Sequence, residues 1–313
     1  MRAVRSAPPG VEVVDVDVPD GPGVLVSIRA ASICSSDFSY IAHGSTAIIG
    51  HELAGVTEDG RAVAVEAIFG CGECELCETG RYNLCPTTGR LQLGMGVDGG
   101  MSEWFRVPEH ALVDLPEGLD PANASIVEPL AVAWHACALA GIEDGMRVAV
   151  IGGGALGLMA VAAAKDLGAG EVAIEARYPH QIERGERLGA TTPTGRYDVV
   201  IEAAGSASSL KQAMTLVQRG GSVGVLGVFD PSTEWPFWAW MMKEVRTFPS
   251  VGYSRHEHGR DIDDAARMLA ADPDLVDTFI THRFPIEDAA EAFRVAKDKS
   301  SGAVRVVVEP QPS

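Results

Sequence analysis

The 313-residue sequence predicts an α/β protein of two domains, a β-rich domain and a doubly wound parallel sheet. Residues 11–18 and 23–30 alternate apolar and polar side chains between clusters of glycine and proline, which is typical of half-buried strands. In the middle of the chain, short apolar runs alternate with helical patterns, and this order indicates a parallel sheet covered on both faces. We expect a first domain of residues 1–127 plus 280–313 and a second of residues 128–279.

The tail of the chain predicts how the first domain is completed. Residues 285–297 have the apolar spacing of an amphipathic helix, and residues 303–308 form an apolar run typical of a buried strand. We expect this closing strand to return to the first domain.

Charge and composition exclude two classes of partner. The net charge is −18 and the isoelectric point is about 4.8, so nucleic acid and anionic membrane surfaces would repel the chain. The apolar run of residues 148–164 is short for a membrane span and contains four glycines, which favours a buried strand followed by a buried helix. No apolar signal core follows the N-terminus, and we expect a cytoplasmic protein with reduced thiols.

Four cysteines within fifteen residues form the strongest local motif, in a segment we expect to span residues 70–86. Two-residue gaps let neighbouring thiolates converge on one ion, and the longer gap lets the chain return the fourth, as in a structural zinc site. Paired disulfides would need an oxidising compartment. An iron–sulfur cluster also competes because Cys85-Pro86 resembles the end of the ferredoxin run, but that run closes with a three-residue gap. The predicted ligands are Cys71, Cys74, Cys77 and Cys85.

A glycine-rich turn at the start of the second domain predicts a dinucleotide site. A G-x-G-x-x-G motif follows the apolar strand of residues 148–151 and precedes a helical pattern, which is the context that a Rossmann motif requires. The first glycine allows a tight turn, the second lets a pyrophosphate approach the backbone, and the third lets the helix pack closely. The predicted cofactor-binding residues here are Gly152, Gly154, Ala155, Leu156 and Gly157.

The end of the next strand bears on the choice of cofactor. Glu175 stands about where an acidic residue would bind the ribose diol of NAD. Ala176 and Arg177 follow it, and a neutral gap followed by a cation suits the 2′-phosphate of NADP. We favour NADP, with Arg177 as its ligand, and keep NAD as the alternative.

A second set of metal-ligand residue types is spread along the chain. Cys34, His51 and a carboxylate such as Glu128 would give three mixed ligands and leave one coordination position open. An open position distinguishes a catalytic zinc from a structural one. Convergence of these residues depends on the fold.

Nearly the whole chain resembles the zinc-dependent medium-chain dehydrogenase/reductase family, which includes alcohol, sorbitol, glucose and threonine dehydrogenases. The resemblance rests on motifs in family order, namely Cys-x-Ser-Asp at 34–37, Gly-His-Glu at 50–52, the four cysteines, Glu-Pro-Leu at 128–130 and the Rossmann glycines. It implies a GroES-like catalytic domain beside a Rossmann domain, and two zinc ions per chain.

The resemblance also implies roles for single residues. Cys34 and His51 would bind the catalytic zinc, with Glu52 as a direct or water-mediated ligand. Glu128, in a Glu-Pro pair, resembles the third ligand of the polyol and sugar branch. Asp37 matches an acid that orients the metal-binding histidine.

The mechanism that the family implies is hydride transfer between an alcohol and a nicotinamide. Zinc polarises the alcohol oxygen, Ser36 is the first group of the proton relay, and the cofactor carries the redox chemistry. Many relatives hold a histidine at the outer end of that relay, whereas this chain has Ser39. The proton path then ends in water or at His43.

Several functions and partners stay open at this point. The main prediction is an alcohol or polyol dehydrogenase linked to NADP, and a related enzyme for an amino-alcohol or cyclitol is the alternative. The missing relay histidine also permits a degenerate dinucleotide sensor. The resemblance implies a homodimer or homotetramer, and the aromatic segment 235–242 is either a subunit interface, a pocket wall or core packing.

Overall fold

In the computed structural model, which describes residues 1–87 and 93–311, the chain divides into two units. Unit 1 comprises Met1–Glu128 with Ser254–Ser313, and unit 2 comprises Pro129–Tyr253. Residues 254–279 therefore belong to unit 1, whereas the sequence placed them in the second domain. The reason is a long-range contact that no local pattern reveals: the amide of Arg255 donates to the carbonyl oxygen of Gly80 at 2.9 Å.

The strands follow in chain order. They are β1 (Arg2–Ala7), β2 (Gly10–Asp15), β3 (Val24–Ser32), β4 (Glu52–Thr57), β5 (Ala62–Val65), β6 (Trp104–Val107), β7 (Leu112–Asp114), β8 (Arg147–Ile151), β9 (Glu171–Glu175), β10 (Tyr197–Glu202), β11 (Val217–Val225), β12 (Arg246–Pro249), β13 (Arg255–His256), β14 (Gly259–Arg260), β15 (Ile280–Pro285) and β16 (Arg305–Glu309).

The α-helices are ten among the described residues. They are α1 (Ser35–Ala42), α2 (Glu75–Glu78), α3 (Val127–Leu139), α4 (Ala155–Asp166), α5 (Pro179–Arg187), α6 (Ala207–Leu216), α7 (Phe237–Lys243), α8 (Asp261–Ala271), α9 (Pro273–Phe279) and α10 (Ala289–Lys297). Short 3₁₀ turns occur at Tyr82–Leu84, Glu109–Ala111, Pro121–Ile126 and Ile286–Asp288.

Unit 1 is built on a mixed sheet in the order β15-β16-β3-β4-β5-β7, with β6 also paired to β3. Its central strand β3 is buried along almost its whole length, because it has neighbours on both edges and side chains packed on both faces. The closing strand β16 pairs antiparallel with β3, with Val307 opposite Ser32. The β-rich domain is confirmed, and so is the return of the last strand to it.

Unit 2 contains a five-stranded parallel sheet in the order β12-β11-β10-β8-β9. The chain runs from β8 outward to β9 and then returns to β10 on the other side of β8. The strand order therefore reverses between β8 and β10, which is the switch point where ligands bind in open α/β sheets. This arrangement confirms the doubly wound parallel fold.

The apolar run of residues 148–164 is the buried strand β8 followed by the buried helix α4. Small side chains on α4, including Gly157 and Ala160, are fully or almost fully covered, so the helix lies close to the sheet. Within the part of the chain that the structure describes, no helix combines the length and hydropathy needed to cross a membrane.

Candidate functional site

The four predicted zinc-binding cysteines meet in one lobe of unit 1. Their sulfur atoms all lie within 4.8 Å of one another, although the four residues differ in burial from exposed Cys71 to buried Cys85. The backbone supports the cluster, because Gly70 packs so tightly against it that a Cβ atom there would lie 2.2 Å from the Cys77 sulfur. The lobe is therefore shaped around the sulfurs.

The sulfur spacing fits one shared tetrahedral ion. Sulfur separations are 3.6 Å for Cys74–Cys77, 3.8 Å for Cys74–Cys85 and 4.0 Å for Cys71–Cys77. Four thiolates at about 2.3 Å from a zinc ion lie about 3.8 Å apart. All six cysteines are free rather than disulfide-bonded. An iron–sulfur cluster would distribute the four thiolates over two or four irons, so that they would not all share one ion.

The surroundings of Cys85 favour its thiolate form, which is the form that binds a metal. A hydrogen bond with the Thr87 hydroxyl, and a second from the Cys71 amide, lower the pKa of Cys85 to about 5. Thiolates rather than thiols bind zinc, so this environment favours the ligand form at neutral pH.

The second ligand group is assembled by neighbouring strands of unit 1. Cys34 caps helix α1, which follows β3, while His51 and Glu52 stand at the start of β4. The antiparallel register of β3 and β4 places Ser32 opposite Glu52, so the end of one strand meets the start of the other. The ligand atoms of Cys34, His51 and Glu52 consequently lie within 4.8 Å of one another.

The imidazole of His51 has a polar neighbour beside each ring nitrogen. Its Nδ1 atom lies 3.3 Å from the Oδ1 atom of the fully buried Asp37, and its Nε2 atom lies 3.2 Å from the Ser36 hydroxyl. Asp37 also accepts the Cys34 amide at 2.9 Å, which ties both ligands to one carboxylate. With Nδ1 directed at Asp37, Nε2 is the nitrogen left to face a metal.

The electrostatics of His51 reflect the same neighbours. Burial alone would lower the pKa of His51, but the nearby Asp37 and Cys34 raise it well above 6.5. The same acidic neighbours would also favour a bound cation beside the imidazole.

Glu52 forms a buried ion pair that the sequence analysis did not include. The Nη1 atom of Arg305 lies 3.0 Å from Glu52 Oε1, and the two side chains are 5% and 0% exposed. Arg305 also donates to the Ile33 carbonyl oxygen at 3.1 Å. The sequence held one signal for this residue, since an arginine stands in an otherwise apolar buried strand, where charged residues rarely occur unpaired.

Glu128 lies near this group without belonging to its closest set. Among the described residues, the group within 4.8 Å contains Cys34, His51 and Glu52 but not Glu128. Burial and, after it, the nearby Glu52 carboxylate together raise the pKa of Glu128 from the ordinary 4.5 to about 8. Glu128 is therefore close enough to interact with Glu52 electrostatically, at the first turn of α3.

The chemistry of these donors fits a divalent cation. The region is rich in acidic groups, contributed by Cys34, Asp37, Glu52 and Glu128, and Arg305 supplies a fixed positive charge there. The Oε2 atom of Glu52 is buried and has no hydrogen-bond partner in the described part of the chain, which is costly unless another group compensates it. A mixed set of thiolate, imidazole and carboxylate is the ligand set that zinc takes in catalytic sites.

The predicted relay residue Ser36 has a second neighbour that the sequence did not reveal. Tyr40, one helical turn later on α1, hydrogen-bonds with Ser36 and is nearly buried, with its ring centroid 6.0 Å from that of His51. Ser39 instead pairs with His43, whose Nδ1 atom lies 2.7 Å from the Ser39 carbonyl oxygen. Ser36 thus faces Tyr40 in the helix.

The glycine turn of unit 2 has the geometry of a phosphate-binding loop. Gly152 has a φ of +111°, and a Cβ atom there would lie 2.9 Å from the Ala203 carbonyl carbon. Gly157 approaches the turn so closely that a Cβ atom would lie 1.8 Å from the Gly152 oxygen. A Cβ atom at Gly154, by contrast, would meet nothing within 4 Å, so space is open where the pyrophosphate is expected. Ala155 and Leu156 begin α4 beside that space.

Glu175 and Arg177 both lie exposed where β9 ends. The Arg177 guanidinium lies 5.7 Å from the ring centroid of Tyr178, and Tyr178 stacks on His180 with centroids 5.7 Å apart. A cation and a stacked pair of rings therefore stand together at the strand end. The Glu175 and Arg177 side chains both face solvent, so the geometry is compatible with either NAD or NADP as the cofactor.

Comparisons with known proteins agree with the fold. Residues 20–117 match the family model described as alcohol dehydrogenase GroES-like domain, and residues 167–304 match the one described as zinc-binding dehydrogenase. The chain is 33% identical to a sorbitol dehydrogenase of Bacillus subtilis over 66% of this chain and 68% of that protein. It is 30% identical to sorbitol dehydrogenase 1 of Saccharomyces cerevisiae over 86% of each chain.

Solved structures match over nearly the full length. A zinc-binding dehydrogenase of Sinorhizobium meliloti, bound to NADP, superposes with a TM-score of 0.85 at 28% identity, covering 99% of both chains. The alcohol dehydrogenase TADH of Thermus sp. ATN1 superposes with a TM-score of 0.86 at 27% identity, again covering 99% of both chains.

Proposed function

The chain belongs to the zinc-dependent medium-chain dehydrogenase/reductase family, and from this we propose that it transfers a hydride between a secondary alcohol or polyol and NADP. The reverse reaction reduces the matching ketone or aldehyde. Its relatives include sorbitol dehydrogenases, and one structural neighbour is bound to NADP.

The observation that carries the proposal is the convergence of Cys34, His51 and Glu52. Their ligand atoms lie within 4.8 Å of one another, and the Asp37 carboxylate lies beside the Nδ1 atom of the His51 imidazole. A dinucleotide sensor would not need this arrangement, because the Rossmann unit alone binds the cofactor. The cluster therefore favours catalysis over sensing.

We propose that Cys34, His51 and Glu128 hold the catalytic zinc, with Glu52 as a direct or water-mediated ligand. When bound, the metal supplies Lewis-acid polarisation of the substrate oxygen. Glu128 stands just outside the closest group, and its raised pKa is consistent with a carboxyl that becomes a ligand when a cation neutralises its surroundings.

The chain's own groups orient the ligands and move the proton. Asp37 holds His51 so that Nε2 faces the ligand group, which fixes the tautomer needed for metal binding. The Ser36 hydroxyl, 3.2 Å from that nitrogen, is placed to accept the proton of the substrate hydroxyl and so begins the relay. Arg305 offsets the charge of Glu52.

The second zinc is structural in this proposal. Cys71, Cys74, Cys77 and Cys85 close a tetrahedron and leave no position for substrate. The sulfur separations support a single shared ion, and we expect two zinc ions per chain in total.

The experiment that tests the proposal combines metal analysis with turnover. Purified wild-type chain should contain two zinc ions and oxidise polyols or secondary alcohols with NADP in a substrate screen. Cys34→Ser should lose one zinc and turnover, while Cys77→Ser should lose the other zinc and destabilise the lobe. Cys137→Ser is the matched control, because Cys137 belongs to neither ligand group and is buried within unit 2, where it donates to the Ala160 carbonyl oxygen.

Other results would select the alternatives. Turnover of an amino-alcohol or cyclitol with NAD would replace the substrate and cofactor assignment. Dinucleotide binding without turnover of any alcohol, amino-alcohol or cyclitol, in a chain that holds one zinc, would favour the degenerate sensor. Full turnover in Cys34→Ser and Glu128→Ala would make the metal assignment wrong.

We further propose a homodimer or homotetramer in the cytoplasm. Helix α7 and the residues before it form an exposed apolar surface, the α7 surface, with Phe237 73% and Trp238 70% exposed. A cavity of about 540 Å³ opens beside it. The α7 surface comprises Trp235, Phe237, Trp238, Met241 and Met242. Exposed aromatic and methionine clusters are typical of protein interfaces.

A further inference from the structure

The carboxylate of Glu202 is completely buried at the carboxyl end of β10, beside the switch point of unit 2. The strands on either side of that point are β8, which ends at Ile151, and β10, which ends at Glu202. A dinucleotide bound at the Gly152 turn lies in the crevice between these two strand ends. Glu202 is thus the acidic residue built into one wall of the crevice.

Glu202 stabilises the turn that follows β10 through hydrogen bonds. Its Oε1 atom accepts the amides of Ala204 and Gly205, both at 2.9 Å, so one oxygen holds two consecutive peptide groups. Its backbone oxygen accepts the amides of Leu226 and Gly227 at 2.8 and 2.9 Å, which joins the turn after β10 to the turn after β11. One residue therefore holds two of the turns at this edge of the sheet.

The turn that Glu202 holds also supports the phosphate-binding loop at Gly152. The Ala203 amide donates to the Ile151 carbonyl oxygen at 2.8 Å, directly before Gly152. A Cβ atom at Gly152 would lie 3.0 Å from the Ala204 nitrogen, so the two turns are in close backbone contact. Any movement of the Ala204 peptide would be transmitted to Gly152.

The second carboxylate oxygen has an unusual environment. Among the residues that the structure describes, Glu202 Oε2 is buried without a well-directed hydrogen bond. Against the effect of burial, the nearby Ser209 hydroxyl lowers the pKa of this carboxylate, but it donates to the Ser206 carbonyl oxygen at 2.7 Å. Gly227 leaves the space beside Oε2, because a Cβ atom there would lie 2.5 Å from Oε2 and 2.4 Å from the Gly205 nitrogen. Burial raises the pKa of Glu202, which opposes the charged form.

A buried acid with one unsatisfied oxygen costs folding free energy, and an apolar side chain would fill the same space without that cost. A role in stability alone therefore does not account for it. We propose that Glu202 is a positioning residue for the dinucleotide, which holds the Ala204–Gly205 turn against the Gly152 loop so that the cofactor crevice is formed before binding. This inference rests on the proposed dinucleotide function of the Rossmann unit.

The test is direct binding of NADPH and NADH to the purified full-length chain, followed by fluorescence or calorimetry, so that neither turnover nor catalytic zinc affects the readout. Glu202→Leu has similar volume but no acceptor, and it should raise the Kd of the preferred cofactor by about tenfold or more. Glu202→Gln keeps one carbonyl oxygen for the two amides and should stay within about threefold of wild type.

A matched control separates positioning from general stability. Glu171 lies at the opposite, amino end of the same sheet and pairs with Arg147 at 2.7 Å. Glu171→Leu also removes a carboxylate from unit 2, and we expect it to leave the Kd unchanged even where it lowers the melting temperature. A purely structural role would give equal Kd values for Glu202→Leu and Glu171→Leu at equal loss of stability.

A second variant covers the case in which Glu202→Leu does not fold. Gly227→Ala keeps the Glu202 carboxylate in the sequence but drives a methyl group against both its Oε2 atom and the Gly205 nitrogen, and it should also raise the Kd by about tenfold. Wild-type affinity in either Glu202→Leu or Gly227→Ala would overturn the inference while leaving the proposed function standing. Failure of the wild-type chain to bind either dinucleotide would instead overturn the proposed function.

Discussion

Arg305 and Glu52 form a buried ion pair of 3.0 Å that joins the last strand of unit 1 to a predicted ligand of the catalytic zinc. Arg305 also hydrogen-bonds with Cys34, and both contacts raise its pKa against the effect of burial. Strand β16 is therefore part of the support of the proposed metal site. Its arginine balances a carboxylate that would otherwise be an uncompensated buried charge.

Replacing Arg305 with methionine should destabilise the protein strongly. The change leaves Glu52 buried and unpaired, for which a loss of about 3–5 kcal/mol in unfolding free energy is expected. The loss should be smaller in zinc-saturated protein than in chelator-treated protein, because a bound cation would take over the neutralisation of Glu52. Denaturant unfolding in both states measures the two values.

The same change at an exposed pair on the same sheet is the control for Arg305→Met. Arg283 pairs with Glu309 at 3.1 Å and both side chains are about one-third exposed. Arg283→Met should cost less than about 1 kcal/mol, and its cost should not depend on zinc. Equal losses for Arg305→Met with and without zinc would show that Glu52 does not face the metal.

Local patterns explain why so much of the fold could be predicted from the sequence. The cysteine spacing, the glycine turn and the alternation of strands with helices each depend on neighbouring residues, and the lobe and the parallel sheet follow from them. The convergence of Cys34 with His51 depends instead on the β3–β4 register. Spacing alone does not give that register, so only the resemblance pointed to it.

Contacts between distant segments could not be predicted from the sequence either, because local spacing does not reveal which strands pair. Arg305 reaches Glu52 only because β16 returns to pair with β3. The boundary of unit 1 was missed because residues 254–279 have helical and turn patterns that fit either domain, and their contacts with the cysteine lobe decide the matter. The buried position of Glu202 likewise depends on three strands meeting at one edge.

Glu66 should make stability depend on pH. It is buried at the end of β5, where it accepts the Tyr82 hydroxyl at 2.9 Å and lies 3.6 Å from an Arg260 nitrogen. Burial raises its pKa from the ordinary 4.5 to about 7, against the opposing effects of Arg260 and Tyr82. The folded state therefore holds a proton that the unfolded chain releases between these two values.

The sign of this dependence follows from proton linkage. Because the folded state binds more protons between pH 4.5 and about 7, the contribution of Glu66 to stability is complete below that window and lost as the pH rises through it. The contribution amounts to about 3 kcal/mol. Glu66→Gln cannot titrate, so its unfolding free energy relative to wild type should increase from pH 4.5 to 7 and level off above. A constant difference across this range would contradict the raised pKa.

Arg177 should decide the choice between NADP and NAD. Arg177→Asp places a negative charge where the 2′-phosphate is expected, and it should shift the ratio of kcat/KM values toward NAD by at least about tenfold. Arg187→Asp makes the same charge change at an exposed position near the end of α5 and should leave the ratio unchanged. If both variants kept the wild-type ratio, the strand-end interpretation would be wrong and Glu175 would become the favoured ribose ligand.

The α7 surface should govern self-association. Trp238 is 70% exposed in the single chain, and a glutamate there would put a charge into the centre of any interface that buries the surface. We expect wild-type chain to sediment as a dimer or tetramer, and Trp238→Glu to shift it toward monomer at micromolar concentration. Ile182→Glu makes an equivalent change on α5, where Ile182 is 39% exposed, and should not alter the sedimentation coefficient.

A monomeric wild type would refute the homo-oligomer. An unchanged assembly in Trp238→Glu would move the interface to another face, since a charge at an apolar contact centre weakens association through desolvation.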